Sequence, residues 1–433
     1  MRPEQRGSTP SPTTTRRQFL GNAAAATAGG VVAAAAARVS LARSQDANGR
    51  IGVGFVGCGG RQNAHLQAVH WLKDHGKEAV DIVAVCDVYG PRMQRAAKAY
   101  GAKGYTDHHK LLRDANVDVV CIATPDHHHA PQAIDAFEAG KDVYCEKPFT
   151  HWRQFELAKK AARVAERTKR VFQLGTQGMS DSAWHQAAKL VADGLIGKPI
   201  HAECGYFRVG DWGERGMPID DANARSGAEL NWEAFLGDAP RRPFDVSRFF
   251  RWRMYEDYSG GPVTDLYPHS FTPVVHMLGV GLPSLAVATG GKFRYDQREV
   301  PDTFNMLVDY PEKVTAAVLG TQGNSHSGLG GRGAGGRGPI VRGWDGTLTF
   351  EGGEIVFTPC AGDKKAQRFK IDHGENVVDH WRNLLAAVRS RDPRTNSPIR
   401  LAYHVQTALI LAMLSLREGK TAKFDAGKEQ IVI

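Results

Sequence analysis

An α/β fold is predicted, on three observations. Apolar runs of strand length alternate with helical segments from residue 51 to about residue 172, a glycine turn follows the first run, and an aspartate closes the second. Such alternation implies right-handed crossovers and a parallel sheet. After about Phe172 the rhythm gives way to longer strands and loops, so a second domain of different build is expected. A chain of 433 residues is long enough for two domains with cores of their own. The expected boundaries are 49–172 and 173–433.

The first 42 residues stand apart. Arg16-Arg17-Gln18-Phe19-Leu20 follows a Thr/Ser/Pro-rich start and leads into an Ala/Gly run through Ala37, with small residues at Ser40-Leu41-Ala42. This is the pattern of a twin-arginine export signal, which predicts a periplasmic protein. Alanine and glycine carry little insertion energy, so a retained membrane anchor is the weaker reading. The segment holds five arginines and one glutamate, so its removal takes the formal net charge from +9 to +5. No Lys/Arg stripe interleaved with aromatics remains, which counts against a nucleic-acid partner. Cys86, Cys121 and Cys145 fall in or at the end of apolar strands and Cys58 in a glycine turn, so buried thiols are expected rather than disulfides.

The elements of the first domain follow in order. Arg50–Val56 reads as a strand, Gly57-Cys58-Gly59-Gly60-Arg61-Gln62 as a turn, about Asn63–Lys73 as a helix, and Asp81–Cys86 as a strand ending at Asp87. Strand, glycine turn, helix, strand and acid make the dinucleotide-binding fingerprint of a Rossmann domain. Gly57 makes the tight turn, Gly59 lets the backbone approach a pyrophosphate, Gly60 and Arg61 complete the turn, and the helix N-terminus faces the phosphate charge. Asp87 would accept from the ribose hydroxyls and repel a 2′-phosphate. NAD is therefore favoured over NADP, while Arg92 nearby leaves NADP open. Gln62 occupies the third glycine position, which is expected to loosen the packing of helix on sheet. The earlier match Gly52, Gly54, Gly57 lies inside the strand and is read as coincidence.

Helices near Pro91–Tyr100 and Asp107–Asp114 flank a short strand at Lys103-Gly104-Tyr105, and Val117–Ala123 is the next strand. Thr124-Pro125-Asp126-His127-His128-His129 follows at the edge where parallel sheets bind ligands. Consecutive histidine side chains diverge and no carboxylate at ligand spacing completes a set, so no metal is expected and a capping or substrate-edge role is preferred. A helix from about Pro131 to Ala139 precedes the strand Asp142–Cys145, which ends in Glu146-Lys147-Pro148. A lysine at that end of a parallel strand is placed to act on a bound substrate.

In the second domain, a helix over about Asp181–Asp193 and a strand over Ile200–Arg208 precede a stretch to Arg251 rich in Trp, Arg, Asp and Gly. That stretch suits sugar-binding loops or a subunit contact equally. Gly323–Gly343, dominated by Gly, Ser and Arg, is expected to be a mobile loop. Thr347–Phe350 and Glu354–Phe357 read as a hairpin around Gly352-Gly353, and helices near Val377–Arg391 and Ala402–Arg417 close the chain.

Taken together, the Gly57 turn, Thr124-Pro125 with His127 and His129, Ala139-Gly140-Lys141, Glu146-Lys147-Pro148, Trp232 through Leu236-Gly237, Trp252-Arg253 and Gly260-Gly261…Asp265…His269 resemble the glucose–fructose oxidoreductase/inositol dehydrogenase (Gfo/Idh/MocA) family. The resemblance spans roughly residues 50–420. It implies a Rossmann domain followed by an α+β domain with an open, mostly antiparallel sheet that covers the active site and joins subunits, hence a homodimer or homotetramer. It also implies nicotinamide-dependent hydride transfer at a sugar or cyclitol carbinol. Catalytic roles carry over onto Lys147, Asp265 and His269, and cofactor contacts onto Gly57, Gly59, Gly60, Arg61, Asp87, Thr124, Pro125, His127, His129, Glu146 and Lys147. Asp265 and His269 lie four apart in a helix expected from near Pro262, which puts both on one face. Leu266-Tyr267-Pro268 replaces the family's usual glycine between them, and Thr272 stands where the family has an acid. Both changes would reshape the sugar pocket.

No free nicotinamide pool is expected outside the cytoplasm, so an exported enzyme should hold its cofactor tightly. It could oxidise one sugar and reduce another. The alternative is redox-neutral glycoside cleavage or epimerisation through a keto sugar.

Overall fold

A computed structural model describes residues 49–209, 217–326, 336–362, 365–374 and 376–433. The twin-arginine segment lies outside these residues, as does the 327–335 part of the glycine-rich stretch.

Six strands form the first sheet: β1 (Ile51–Val56), β2 (Val80–Cys86), β3 (Lys103–Tyr105), β4 (Val119–Ile122), β5 (Asp142–Glu146) and β6 (Phe172–Gly175). All pairs are parallel and the order is β3-β2-β1-β4-β5-β6. β1, β4, β5 and β6 are buried along their whole length, as a parallel sheet covered on both faces requires. The order reverses between β1 and β4, and the crevice beyond their carboxyl ends is where such sheets bind ligands.

The helix after β4 begins earlier than its sequence suggests. It runs from Asp126 to Glu138, so the histidine triplet is its first turn rather than a preceding loop. Pro131 sits inside it. A proline cannot donate to the carbonyl four residues back, and that carbonyl, of His127, accepts from Gln154 Nε2 at 2.9 Å instead.

The second sheet has ten strands: β7 (Pro199–Phe207), β8 (Leu285–Gly291), β9 (Thr303–Tyr310), β10 (Val314–Thr321), β11 (Gly336–Gly343), β12 (Gly346–Glu351), β13 (Glu354–Pro359), β14 (Gln367–Lys370), β15 (Ala422–Asp425) and β16 (Gln430–Val432). Its order is β14-β13-β12-β11-β7-β10-β9-β8-β15-β16, antiparallel except for β7 with β10. β9 alternates buried and accessible residues, the mark of a sheet with one covered face. The helices Ser182–Ala192, Tyr267–Leu278 and Ile399–Glu418 supply the cover. Residues 336–343, expected as part of a mobile loop, are instead β11, held between β7 and β12. Glycine-rich sequence hides a strand here, which is held by main-chain pairing with β7 and β12 and by Val341, buried in the main core. The β12–β13 hairpin turns at Gly352 and Gly353, both at positive φ (57° and 87°), which residues with a Cβ rarely adopt.

The first domain is completed by chain from far downstream. The helix Val377–Ser390 lays Trp381, Leu384, Leu385 and Val388 into the cluster built by Ile51, Phe55, Leu66 and Val69. Arg391 then pairs with Asp142 at the start of β5 (Nη2 to Oδ1, 3.0 Å).

Candidate active site

A cleft of ≈ 1160 Å³ opens at the carboxyl ends of the parallel strands. Gly57, Gly59, Gly60, Arg61 and Asp87 line one part of it, and Lys147, Asp265 and His269 line another. Thr124, Pro125 and His127 also reach it, whereas His129 and Glu146 stand behind its wall.

The glycine turn meets a steric demand. Gly57 has φ +87°, and a Cβ there would lie 2.8 Å from the Ala123 carbonyl oxygen. Gly59 caps the helix Gly60–Asp74, and a Cβ on Gly60 would meet nothing within 4 Å, so the helix N-terminus stays open to an anionic group. Gln62 does not loosen the packing. It is fully buried, and its Nε2 donates to the Cys121 carbonyl of β4 at 3.3 Å.

Asp87 is fixed by the turn it serves. Its Oδ2 accepts from the Cys58 N–H at 2.6 Å and its Oδ1 from the Tyr89 N–H at 2.8 Å. Burial raises its pKa, while Arg92 and those two N–H groups oppose the rise. Arg92 itself donates to Asp220 Oδ2 at 2.7 Å and lies over the Phe250 ring. A guanidinium already neutralised by Asp220 is poorly placed to receive a 2′-phosphate, so the residues fit NAD.

The Trp/Arg-rich stretch forms the roof of the cleft. Gly90 N–H donates to the Glu229 carbonyl at 2.7 Å and Asn231 N–H to the Val88 carbonyl at 2.9 Å. Beneath these bonds Tyr89 packs with Leu230, Trp232, Phe235, Phe249 and Phe250 in a separate apolar cluster. His127 Nε2 and His128 Nε2 both face the Phe235 carbonyl, at 2.9 and 2.6 Å. Burial pushes both imidazoles down, His128 to about 4, so they are neutral tethers. His129 reaches the carbonyls of Pro148 (Nδ1, 2.6 Å) and Thr124 (Nε2, 2.8 Å) and so ties the loop after β4 to the turn after β5. Donor atoms with metal-ligand spacing occur instead at Asp107, His108 and His109, within 4.8 Å of one another.

The reacting corner is built from two distant segments. Lys147, at the end of β5, donates through Nζ to Asp265 Oδ1 at 2.6 Å and to the Asp265 carbonyl at 2.7 Å. Arg253 Nε donates to the same Oδ1 at 3.1 Å. Burial works against the Asp265 charge, but Lys147 and Arg253 outweigh it and hold the carboxyl well below its usual range. Burial, followed by the Lys147 charge, pushes His269 down to about 3, leaving a neutral imidazole. Asp265 and His269 do not share one helix. Pro262–Asp265 and Tyr267–Leu278 are separated at Leu266, since Pro268 has no N–H to offer the Thr264 carbonyl and its ring crowds it. Both side chains nevertheless face the cleft.

Behind Lys147, Glu146 is anchored by four donors. Its Oε1 accepts from Arg61 Nε (2.8 Å), His65 Nε2 (2.8 Å) and Gln177 Nε2 (2.7 Å), and its Oε2 from the Lys147 N–H (3.2 Å). Trp381 Nε1 donates to His65 Nδ1 at 3.1 Å, which fixes the tautomer with its proton on Nε2. Burial alone would raise the Glu146 pKa, but Arg61 and the His65 hydrogen bond hold it well below the carboxylate range. His65, Gln177 and Trp381 carry no sequence signal of this role. Trp381 is 316 residues from the histidine it orients. Asp126 could have been noticed within the histidine motif. It is 2 % exposed, accepts from Thr264 Oγ1 at 3.1 Å, and burial lifts its pKa to about 7 against the pull of Arg253.

A family model described as an oxidoreductase family with NAD-binding Rossmann fold matches residues 51–176, and its C-terminal alpha/beta domain model matches residues 181–285. Inositol 2-dehydrogenase of Salmonella typhimurium is 33% identical over 158 residues, 35% of this chain and 43% of that protein. Inositol 2-dehydrogenase/D-chiro-inositol 3-dehydrogenase of Lactiplantibacillus plantarum is 31% identical over 158 residues, 35% of this chain and 41% of its own length. The chain thus aligns with less than half the length of these relatives. Among solved structures, an NAD binding oxidoreductase from Klebsiella pneumoniae gives a TM-score of 0.65 at 21% identity, covering 86% of this chain and 98% of that one. Levoglucosan dehydrogenase in complex with NADH gives 0.65 at 18% identity, with 86% and 98% covered. At these identities the likeness is one of fold. The two domain models, in sequence and over more than half the chain, establish that this protein belongs to the Gfo/Idh/MocA family of oxidoreductases, with an NAD-binding Rossmann domain.

Proposed function

We propose that the protein is an NAD-dependent oxidoreductase that moves a hydride between a sugar or cyclitol carbinol and its cofactor. The observation that carries this reading is the meeting of Lys147 with Asp265 at 2.6 Å in a cleft that also holds His269, Gly57 and Asp87. The cyclitol and sugar substrates named for the inositol 2-dehydrogenases and the levoglucosan dehydrogenase support the substrate class.

Bound NAD would supply the hydride acceptor, its pyrophosphate held at the Gly57–Arg61 turn and a ribose at Asp87. The protein's own groups do the proton chemistry. His269, neutral in its buried setting, takes the hydroxyl proton. Lys147 spends two donor contacts on Asp265 and has a third N–H for the oxygen as charge develops on it. Asp265 holds Lys147 in place and offsets the positive charge that His269 gains. Lys147 and Asp265 side chains are only 10% and 14% exposed, so these charges act with little screening by water. The twin-arginine segment supports action outside the cytoplasm with a retained cofactor, and fractionation of the source cells tests that part.

The test of the activity is absorbance at 340 nm when NAD-loaded protein meets a panel of sugars and cyclitols. A rise with any of them sustains the reading, and no change with all of them would overturn it. Aglycone release without net cofactor change would put the redox-neutral reaction in its place.

A further inference from the structure

We infer that the substrate carries a carboxylate, and that Arg253 is the residue that binds it. This rests on the carbinol-oxidising reading above and specifies the class of sugar: a uronate or aldonate rather than a neutral hexose or cyclitol.

Arg61 has Glu146 as its own counter-ion, at 2.8 Å. Lys147 and Arg253 share one oxygen of one carboxylate, Asp265 Oδ1, at 2.6 and 3.1 Å. Asp126, the next acid, is lifted by burial to about 7 and so carries less than a full negative charge near neutrality. His269 stays uncharged. Two cations thus stand against little more than one anion where water is scarce. A partly buried guanidinium without a full counter-ion is costly, and an incoming anion would remove that cost.

The shape of Arg253 points the same way. Its Nε is used by Asp265. Its Nη1 meets only the Met217 sulfur, at 3.4 Å, and a thioether is a weak acceptor. Its Nη2 makes no hydrogen bond among the described residues. The guanidinium packs over the Trp252 ring, 4.3 Å from its centroid, which fixes the plane in which the unused edge lies. Arg253 and Trp252 both line the cleft, and the Arg253 side chain is 23% exposed. A planar fork of two N–H donors with no oxygen partner, open to the cleft beside the reacting lysine, matches a carboxylate in bidentate fashion. A neutral hydroxyl would satisfy one donor and leave the charge uncompensated.

The test compares sugars that differ only in that group. Methyl glycosides of hexoses and of their C6 uronates are offered to the NAD-loaded enzyme, and kcat/KM is read from absorbance at 340 nm. The uronates should be preferred by about 10- to 100-fold, the range expected for a charge-assisted hydrogen-bond pair. Arg253→Gln should collapse that preference, and Arg253→Lys should restore only part of it. Equal use of acid and neutral sugars by the wild type, or a preference unchanged in Arg253→Gln, would overturn the inference. Calorimetry of glucuronate against glucose on the NADH-loaded protein supplies a readout that needs no turnover. If no sugar is oxidised yet glucuronate alone binds, the redox reading fails and the carboxylate site stands. If neutral sugars are oxidised as well as acids, the reverse holds.

Discussion

Lys147 Nζ and Asp265 Oδ1 lie 2.6 Å apart although 118 residues separate them in the chain. The pair closes the reacting corner by joining the end of β5 to the segment entering the helices of the second domain. Removing Lys147 leaves Asp265 still paired with Arg253 and should act mainly on chemistry, whereas removing Asp265 would also strand two largely buried cations and lower stability. Lys147→Met should lower kcat about 10²–10³-fold, the range seen when a transition-state donor is lost. His269→Gln should lower it about 10²–10⁴-fold, and its residual rate should rise with pH as hydroxide replaces the missing base. Steady-state rates from pH 5 to 10 check both.

Asp126 makes stability fall with pH over a defined window. Its folded pKa of about 7 lies above the unfolded value of 3.8, so the native state holds a proton that the unfolded chain gives up. Stability is lost as pH rises from about 4 to about 7, then levels off. Asp126→Asn removes the titration. It should raise Tm by a few degrees at pH 8, on the order of 1–3 kcal/mol, and change little at pH 5. Equal shifts at both pH values would contradict the assignment.

Cofactor choice should depend on two acids rather than one. Asp87→Ser alone should weaken NAD binding about 10-fold with little gain for NADP, because Arg92 remains bound to Asp220. Asp87→Ser with Asp220→Asn should free Arg92 and favour NADP beyond the sum of the single effects. Dissociation constants for both dinucleotides across the four proteins measure that coupling.

The outer face of the second sheet carries an apolar row. Leu307 on β9 is 50% exposed and stands beside Val287 on β8 and Ala317 on β10. Leu307→Asp should shift the expected dimer or tetramer towards monomer, as read by light scattering after size exclusion, with kcat little changed.

Trp381 is buried to 0% exposure and stacks on Tyr144 at 4.7 Å between ring centroids. Trp381→Ala should cost about 3–5 kcal/mol. Trp381→Phe should retain most of that stability but release the His65 tautomer, so its kcat should fall more than its Tm. Thermal unfolding beside turnover separates the two effects.

How much of this was legible in the sequence depended on how local each signal is. The Gly57 turn and Asp87 could be read because a βαβ unit places them within about 30 residues, and each is forced by backbone geometry. Lys147, Asp265 and His269 could be named from the resemblance, but not their mutual distances. The break at Leu266 was implicit in Pro268 and was missed because the four-residue spacing suggested one helix. β11 was missed because glycine and arginine carry no period-2 pattern. The bonds from His65, Gln177 and Trp381 to the Glu146 anchor depend on where distant segments land, and no window of sequence encodes that.

The return of the Val377–Ser390 helix has a consequence for biosynthesis. The cluster that backs the dinucleotide sheet includes Trp381, Leu384 and Leu385, so that domain cannot finish folding when its last strand leaves the ribosome at Gly175. It must wait for some two hundred further residues. Until then the apolar backs of β1 and the helix Gly60–Asp74 are uncovered, and the Glu146 anchor lacks the tryptophan that orients His65. Cofactor capture is thereby tied to completion of nearly the whole chain.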